Sequence, residues 1–510
     1  MSRYDAGASG GRGWVDAGSL AGQSSPAGQS SPAGQSSAVG QSSAVGKSCA
    51  VGKSGVRGQA GVGIPSGVGG ASRGESRSVV HSVRRQGTEE DVWGSVFDRR
   101  NIISFLTAST MVIPITLVGT FRLGEILILL LFPFYIRSMM QAMRNREVSL
   151  LMIGGILWFV SQVLSDLVNG TPSSKYIRGW GNIGLTMMNF LFYCGLYRDR
   201  YRSHIGTIIG MAFGGAFGAF YLYFFGDKSQ VNPEQLWDFY VSAWAYPCFG
   251  FLAYAAFGKF PWLVIGAGVV YGVVGNIYGG RSDGLIAMSS TLVFCYLWYS
   301  LLSGQKDLRY LFRNGAVLAG LLMIPLFLLY VHYAQSGVLG KTAKVQIDLA
   351  KNPYNPIEVL LLARNESVIA IDAIAEKPLL GHGSWANPTH LRKLYLLKMR
   401  EFYGAKAPKT LVHDVLPVHS VLLGAWVFSG LVGFLYWIFV ISRTLVLTDR
   451  ILRFGSVAMV AIAVVYLPFF SWHVMFSPHS FARFVWPAAM AFLAFASADR
   501  SRLVQASRVV

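Results

Sequence analysis

Twelve apolar runs of membrane-spanning length follow one another between residues 102 and 498, and few folds are open to a chain that carries them. They cover 102–120, 123–139, 148–167, 179–197, 204–225, 239–257, 261–278, 284–302, 314–334, 418–440, 454–471 and 483–498. A helix needs ~20 predominantly apolar residues to cross the hydrocarbon core of a bilayer. Inside lipid the backbone must satisfy its own hydrogen bonds, which favours helices over open sheets. The expected fold class is therefore an all-α polytopic membrane protein of about 12 transmembrane helices. Composition points the same way. Apolar residues make up 53% of the chain and charged residues 14%, against about 25% charged in soluble domains. A plain soluble enzyme and a fully disordered chain are both excluded.

Basic residues fix the expected orientation. With the N-terminus cytoplasmic, the short inner connections and the C-terminus carry sixteen Lys and Arg, among them Arg144, Arg146, Arg198, Arg443, Arg450 and Arg453. The short outer connections carry six: Arg122, Lys175, Arg178, Lys228, Arg281 and Arg483. An excess of basic residues marks the cytoplasmic side, so both termini are expected inside. The same bias accounts for much of the net charge of +19 without a nucleic-acid partner.

Residues 1–95 form a compositionally separate tail, with 96–510 as the transmembrane domain. From Ala21 a six-residue unit repeats as AGQSSP, AGQSSP, AGQSSA, VGQSSA, VGKSCA and VGKSGV. A parallel β-helix of that period would need bulky inward residues, and the repeat offers only Ala and Val. A flexible Gly/Ser/Gln-rich linker is expected. The four cysteines follow neither a disulfide framework nor zinc-ligand spacing.

Between the ninth and tenth runs lies an outer loop, 335–417, too long for a passive turn. It carries eleven basic and seven acidic residues, and seven of the nine histidines lie on or near the outer side. Asn355-Pro356-Ile357-Glu358 reads as a helix start, with Asn at the cap, Pro at the first helical position and Glu at the third. The helix is expected to run to about Lys377, before Pro378. Arg364 then sits in the middle of the apolar stripe formed by Ile357, Leu360, Leu361, Val368 and Ile371. It either snorkels or pairs with a structural carboxylate, or it clamps an anion.

Three further places carry chemistry. Arg281 lies in Tyr278-Gly-Gly-Arg-Ser-Asp-Gly284, where glycines permit close backbone approach and an anion-binding nest, or simply a tight turn. His419 falls in the first turn of the tenth span, where the helix-terminal potential disfavours imidazolium. A neutral ring there would accept a proton or bond backbone. His413 is its nearby alternate, while His473, His479 and Arg483 flank the last outer connection. Gly210, Gly214 and Gly218 repeat every fourth residue and read as close helix packing. Asp166 reads as a cap or interfacial residue. No Walker loop, H-E-x-x-H or Ser-His-Asp spacing occurs.

Taken in order, Gly280-Arg281-Ser282, Arg364 with Pro378-Leu-Leu-Gly-His-Gly383, and His419-Ser420 with Ser429-Gly-Leu-Val-Gly433 resemble the O-antigen ligase and polysaccharide polymerase superfamily. These are bacterial inner-membrane glycosyltransferases. The resemblance covers roughly 270–445. It implies transfer of a glycan from a polyprenyl diphosphate carrier to a lipid A-core acceptor at the periplasmic face. The alternative within the superfamily is a polymerase of O-antigen or exopolysaccharide repeat units; outside it, a secondary transporter. By resemblance, Arg281 and Arg364 would hold the diphosphate and His419 would engage the acceptor hydroxyl. His413 and Arg483 are further candidate substrate contacts. Neither a cofactor nor a metal is implied. The implied partners are the lipid-linked donor, the acceptor and membrane lipids.

Overall fold

The computed structural model describes residues 98–117, 119–198, 203–225, 260–277, 327–339, 341–363, 365–403, 418–454, 457–477 and 482–509, with scattered positions between them. The repeat tail, residues 1–95, lies outside the described residues, as do most of the runs at 239–257, 284–302 and 314–334. The helices of the membrane part are α1 (Arg99–Ser109), α2 (Leu123–Ala142), α3 (Arg146–Val168), α4 (Ser173–Tyr197), α5 (His204–Phe225) and α6 (Pro261–Ile277). In the long connection come α7 (Lys341–Leu349), α8 (Pro356–Ala363), α9 (Asn365–Glu376) and α10 (Thr389–Tyr403). Then follow α11 (Val421–Phe454), α12 (Val457–Phe476) and α13 (Ala482–Val509).

Among the described residues, α2, α3 and the stretch Val421–Leu452 are long and apolar enough to cross a membrane, and four shorter apolar stretches lie in α5, α6, α12 and α13. The outward faces of α2 and α3 expose Leu130, Phe134, Met140, Ile153, Leu157 and Leu167. An apolar belt of that extent would be untenable in water and is what a lipid-facing surface requires. Polar side chains are turned inward instead: Gln162, Ser165, Asp166, Asn182 and Asn189 are all buried.

The first apolar run departs from the all-α expectation. Instead of one span over 102–120, α1 stops at Ser109 and a short 3-10 turn, Thr110–Val112, follows. A hairpin of β1 (Pro114–Leu117) and β2 (Gly119–Arg122) comes next, with Ile115 opposite Phe121 and Thr116 opposite Thr120. Pro114 has no amide hydrogen to continue the helix. The residues around it, Val112, Ile113, Ile115 and Thr116, are β-branched and suit a strand.

Small residues set the closest helix contact. Gly206, Gly210 and Gly214 of α5 lie directly on the carbonyls of Asn101, Phe105 and Ser109 of α1, and a methyl at any of them would collide with that backbone. Both series rise by four, so α1 and α5 run parallel, packed as the glycine spacing predicts. Gly218 is looser, touching only the side chain of Val112. In contrast, α3 and α11 run antiparallel. Trp158 stacks on Tyr436, with ring centroids 5.1 Å apart, and packs edge-on to Trp437. At one end of this pair the Glu147 carboxylate takes two hydrogen bonds from Arg443, at 2.6 and 2.9 Å, and a third from Arg450 at 3.1 Å.

Candidate functional site

The connection between the membrane helices begins as the sequence predicts. The Asn355 side chain accepts from the amides of Ile357 and Glu358, capping α8. Glu358 does not close a capping box on Asn355. Its carboxylate reaches back to the amides of Lys351 and Asn352 and pins the preceding turn. The helix expected to run to about Lys377 is described over α8 and α9, as far as Glu376, and Arg364 lies outside the described residues.

After α9 the segment Pro378–Gly383 inserts into a break in α11. Gly430 has φ 72° and ψ −161°, a conformation essentially confined to glycine. In an uninterrupted helix Leu431 N–H would donate to the Val427 carbonyl. Here it donates to Leu379 O at 3.1 Å, and Val427 O accepts from His382 N–H at 2.7 Å. Phe428 O accepts from Gly383 N–H and from the Ser165 hydroxyl, and Ser429 O accepts from the Ser161 hydroxyl. The carbonyls of Val427, Phe428 and Ser429 are therefore satisfied inside the protein, the condition for irregular backbone away from water. Gly381 and Gly383, with φ 73° and 85°, let the inserted segment turn against α11.

Asp166, near the end of α3, holds this arrangement. It is buried, and its carboxylate accepts from Ser384 N–H at 2.5 Å, Ser384 Oγ at 2.7 Å and the indole of Trp180 at 2.8 Å. Gln162, one turn earlier, donates to Ser384 Oγ at 2.9 Å and accepts from Ser429 Oγ at 2.5 Å. Ser429 in turn accepts from Trp158 Nε1 at 3.0 Å. Asn169 donates to Gly381 O, and Trp426 donates to Pro378 O. A small pocket beside this network is lined by Gln162, Gly179, Asn182, Ser384, Trp385 and Phe428.

His419 is partly buried and stands immediately before the N-cap of α11 rather than in its first turn. Ser420 is the cap: its hydroxyl accepts from Leu423 N–H at 3.1 Å, and its carbonyl accepts from Gly424 N–H. The approach to this cap is tied to the inserted segment, since Leu416 N–H donates to Ala386 O. The imidazole therefore sits at the positive end of α11.

Arg483, at the start of α13, lies 3.2 Å from the carboxylate of Glu125, whose side chain is fully buried. Asn189 donates to the Arg483 carbonyl. At the end of α12, His473 Nδ1 lies 2.6 Å from Ser477 Oγ. Arg281, His413 and His479 lie outside the described residues. The described structure thus places three of the candidate residues: His419 and Arg483, each at the start of an apolar helix, and His473 near the end of one.

His382 is buried at the turn and bonds Ala373 O through Nε2 at 2.8 Å. Burial holds its pKa below the usual histidine value, only partly offset by that hydrogen bond. Glu376 lies 4.0 Å from His382 and 2.8 Å from the exposed His390. Among the described residues no three His, Cys, Asp or Glu side chains gather as metal ligands.

Sequence reasoning took Asp166, the hub, for a cap or interfacial residue and did not single out its partner Gln162. A signal was present: Trp158, Ser161, Gln162, Ser165, Asp166 and Asn169 recur at helical spacing along one face of an apolar span. No protein-family model and no curated protein matches this chain.

Proposed function

We propose that this chain is a bacterial inner-membrane glycosyltransferase, moving a glycan from a polyprenyl diphosphate carrier to a lipid A-core acceptor at the periplasmic face. One observation carries the proposal. Two stretches that resemble the O-antigen ligase and polymerase superfamily, Pro378–Gly383 and Ser429–Gly433, are one physical unit, the first inserted into the helix break made by the second. That unit joins the helix following Arg364 to the helix whose N-terminus carries His419.

In the proposed reaction Arg281 and Arg364 hold the diphosphate, each able to offer two parallel N–H bonds to phosphate oxygens. They stabilise the charge that develops as the glycosidic C–O bond breaks and the diphosphate leaves. His419, immediately before the N-cap of α11, accepts the proton of the acceptor hydroxyl as that oxygen bonds the anomeric carbon. The proposed orientation has both termini cytoplasmic. Two contacts fit the pairing of helix ends which that topology needs: Glu147 meets Arg443 and Arg450 at one end of α3, and Asp166 meets Ser384 at the other.

A secondary transporter is the second reading, favoured by the broken helix α11 and the buried Glu125–Arg483 pair. Transporters leave unwound carbonyls open for an ion. Here Val427 O, Phe428 O and Ser429 O are all taken by protein donors, which weighs against that reading.

The test is transfer of lipid-linked glycan by the purified protein. Arg364→Lys should fail almost as badly as Arg364→Ala, and His419→Ala should lose ~10²–10⁴ in rate while retaining donor binding. Turnover near wild type in Arg364→Ala or His419→Ala would remove that residue from the mechanism. Strict dependence on added divalent metal would sink the arginine clamp. In a knockout, lipid-linked polymer accumulating with none on lipid A identifies a ligase; a single repeat unit left on the core identifies a polymerase.

A further inference from the structure

We propose that α10 is a membrane-surface helix whose exposed face docks anionic phospholipid headgroups. The inference stands apart from the transferase reading and rests on where α10 is held. Its buried face, Leu391, Leu394, Tyr395 and Met399, shares one apolar cluster with Ile369, Ala370 and Ala373 of α9 and with Leu423, Val427 and Phe428 of α11. Those α11 residues lie in its first two turns, within about 12 Å of its start. The stretch Val421–Leu452 is long and apolar enough to cross the membrane. Packing against its outermost turns therefore sets α10 at the depth where hydrocarbon gives way to headgroups.

The opposite face of α10 is patterned for that depth. His390, Lys393, Leu397 and Arg400 are all exposed. At about 100° per residue, Leu397 lies ~40° and Arg400 ~20° from Lys393, so all three share one stripe about 10 Å long. Lys398, off this stripe, is paired with Asp372, and His390 is bonded to Glu376. Lys393 and Arg400 form no ion pair among the described residues, although α10 carries an acidic residue of its own, Glu401. Leu397 is 58% exposed, and Ile371 of α9 and Leu379 of the inserted segment are 54% and 67% exposed. Large apolar side chains beside unpaired cations are costly against water alone. At an interface the leucine enters the acyl boundary while the Lys and Arg stems reach up to lipid phosphates. Charge complementarity selects the occupant: two exposed cations on one stripe, with no ion pair among the described residues, call for an anionic headgroup rather than a zwitterionic one.

The experiment places a bimane fluorophore at Leu397→Cys in full-length protein whose four native cysteines have been replaced. The protein is reconstituted in nanodiscs of phosphatidylcholine with or without phosphatidylglycerol, with some lipid carrying a shallow nitroxide quencher. Quenching is expected in the anionic discs. Lys393→Gln and Arg400→Gln should each weaken docking about fivefold, and together about thirtyfold, as expected for single charges near an anionic surface. The melting temperature should not move, since both side chains are exposed. No quenching in either lipid would overturn the proposal. So would equal quenching in both lipids that the two variants leave unchanged, which would make the contact purely apolar. Cross-linking of Leu397→Cys to a second copy of the chain in the discs would also overturn it, by showing protein rather than lipid on this face.

Discussion

Replacing Gly430 by alanine tests the broken helix at its weakest point. The backbone there, φ 72° and ψ −161°, is one that residues with a Cβ hardly populate, and holding alanine in it costs roughly 1–3 kcal/mol. The added methyl would also fall inside contact distance of the Leu379 carbonyl group, which is backbone and has no rotamer to yield. If the inserted segment is expelled, three backbone bonds go with it: His382 to Val427, Gly383 to Phe428 and Leu431 to Leu379. At about 1 kcal/mol net each, expulsion costs roughly 3 kcal/mol and relieves the strain, so the loss is about 3 kcal/mol by either route, a sizeable part of what a folded domain has in hand. The assay is the melting temperature of detergent-purified protein, followed by limited digestion with a glutamate-specific protease at Glu376, beside the released segment. Gly181→Ala is the control: it lies inside α4 with nothing within 4 Å of an added Cβ. It should be neutral or stabilising by up to ~1 kcal/mol. If Gly430→Ala melts with Gly181→Ala and resists the protease like the wild type, α11 is not broken as described.

Three further outcomes follow from the same geometry. Asp166→Ala strips the acceptor from the buried donors Ser384 N–H and Trp180 Nε1–H, a loss of roughly 2–6 kcal/mol; Ser384→Ala should cost less in the same melting assay, and equal effects would contradict a hub at Asp166. Arg443→Ala should destabilise by roughly 1–3 kcal/mol and Arg450→Ala by under ~1, because Arg443 is the more buried and makes two of the three bonds to Glu147; the reverse order would sink the pairing. His382 has a folded pKa below its unfolded value, so its contribution to stability is complete above about pH 6.5 and falls as the pH drops through the lowered folded pKa. The wild type should therefore lose more melting temperature than His382→Gln between neutral and mildly acid pH, and parallel curves would exclude the histidine as the cause.

Local chemistry made much of this protein legible before any coordinates. The apolar runs at 123–139, 148–167, 204–225 and 261–278 became α2, α3, α5 and α6 with nearly the same ends, because each helix closes its hydrogen bonds within itself and reports its period in sequence. The cap at Asn355 and the glycine stripe of α5 were legible for the same reason, since each depends on residues within a turn or two. The first run misled because hydropathy counts apolar residues without regard to shape, while Pro114 and its β-branched neighbours decided for a hairpin.

What only the tertiary structure decided is who partners whom. Asp166 and Ser384 are 218 residues apart, and Glu147 and Arg443 are 296. Nothing within a helical turn of Asp166 distinguishes a cap from a hub. Gly430 sits in a run, Ser429-Gly-Leu-Val-Gly433, that reads as continuous helix. It breaks because another segment supplies donors to its carbonyls and an acceptor for Leu431 N–H. An unsatisfied backbone group at membrane depth is too costly to leave, so the break exists only where the fold delivers Pro378–Gly383 to it. The sequence determined which segments form long apolar helices, and the tertiary structure decided where one of them could open.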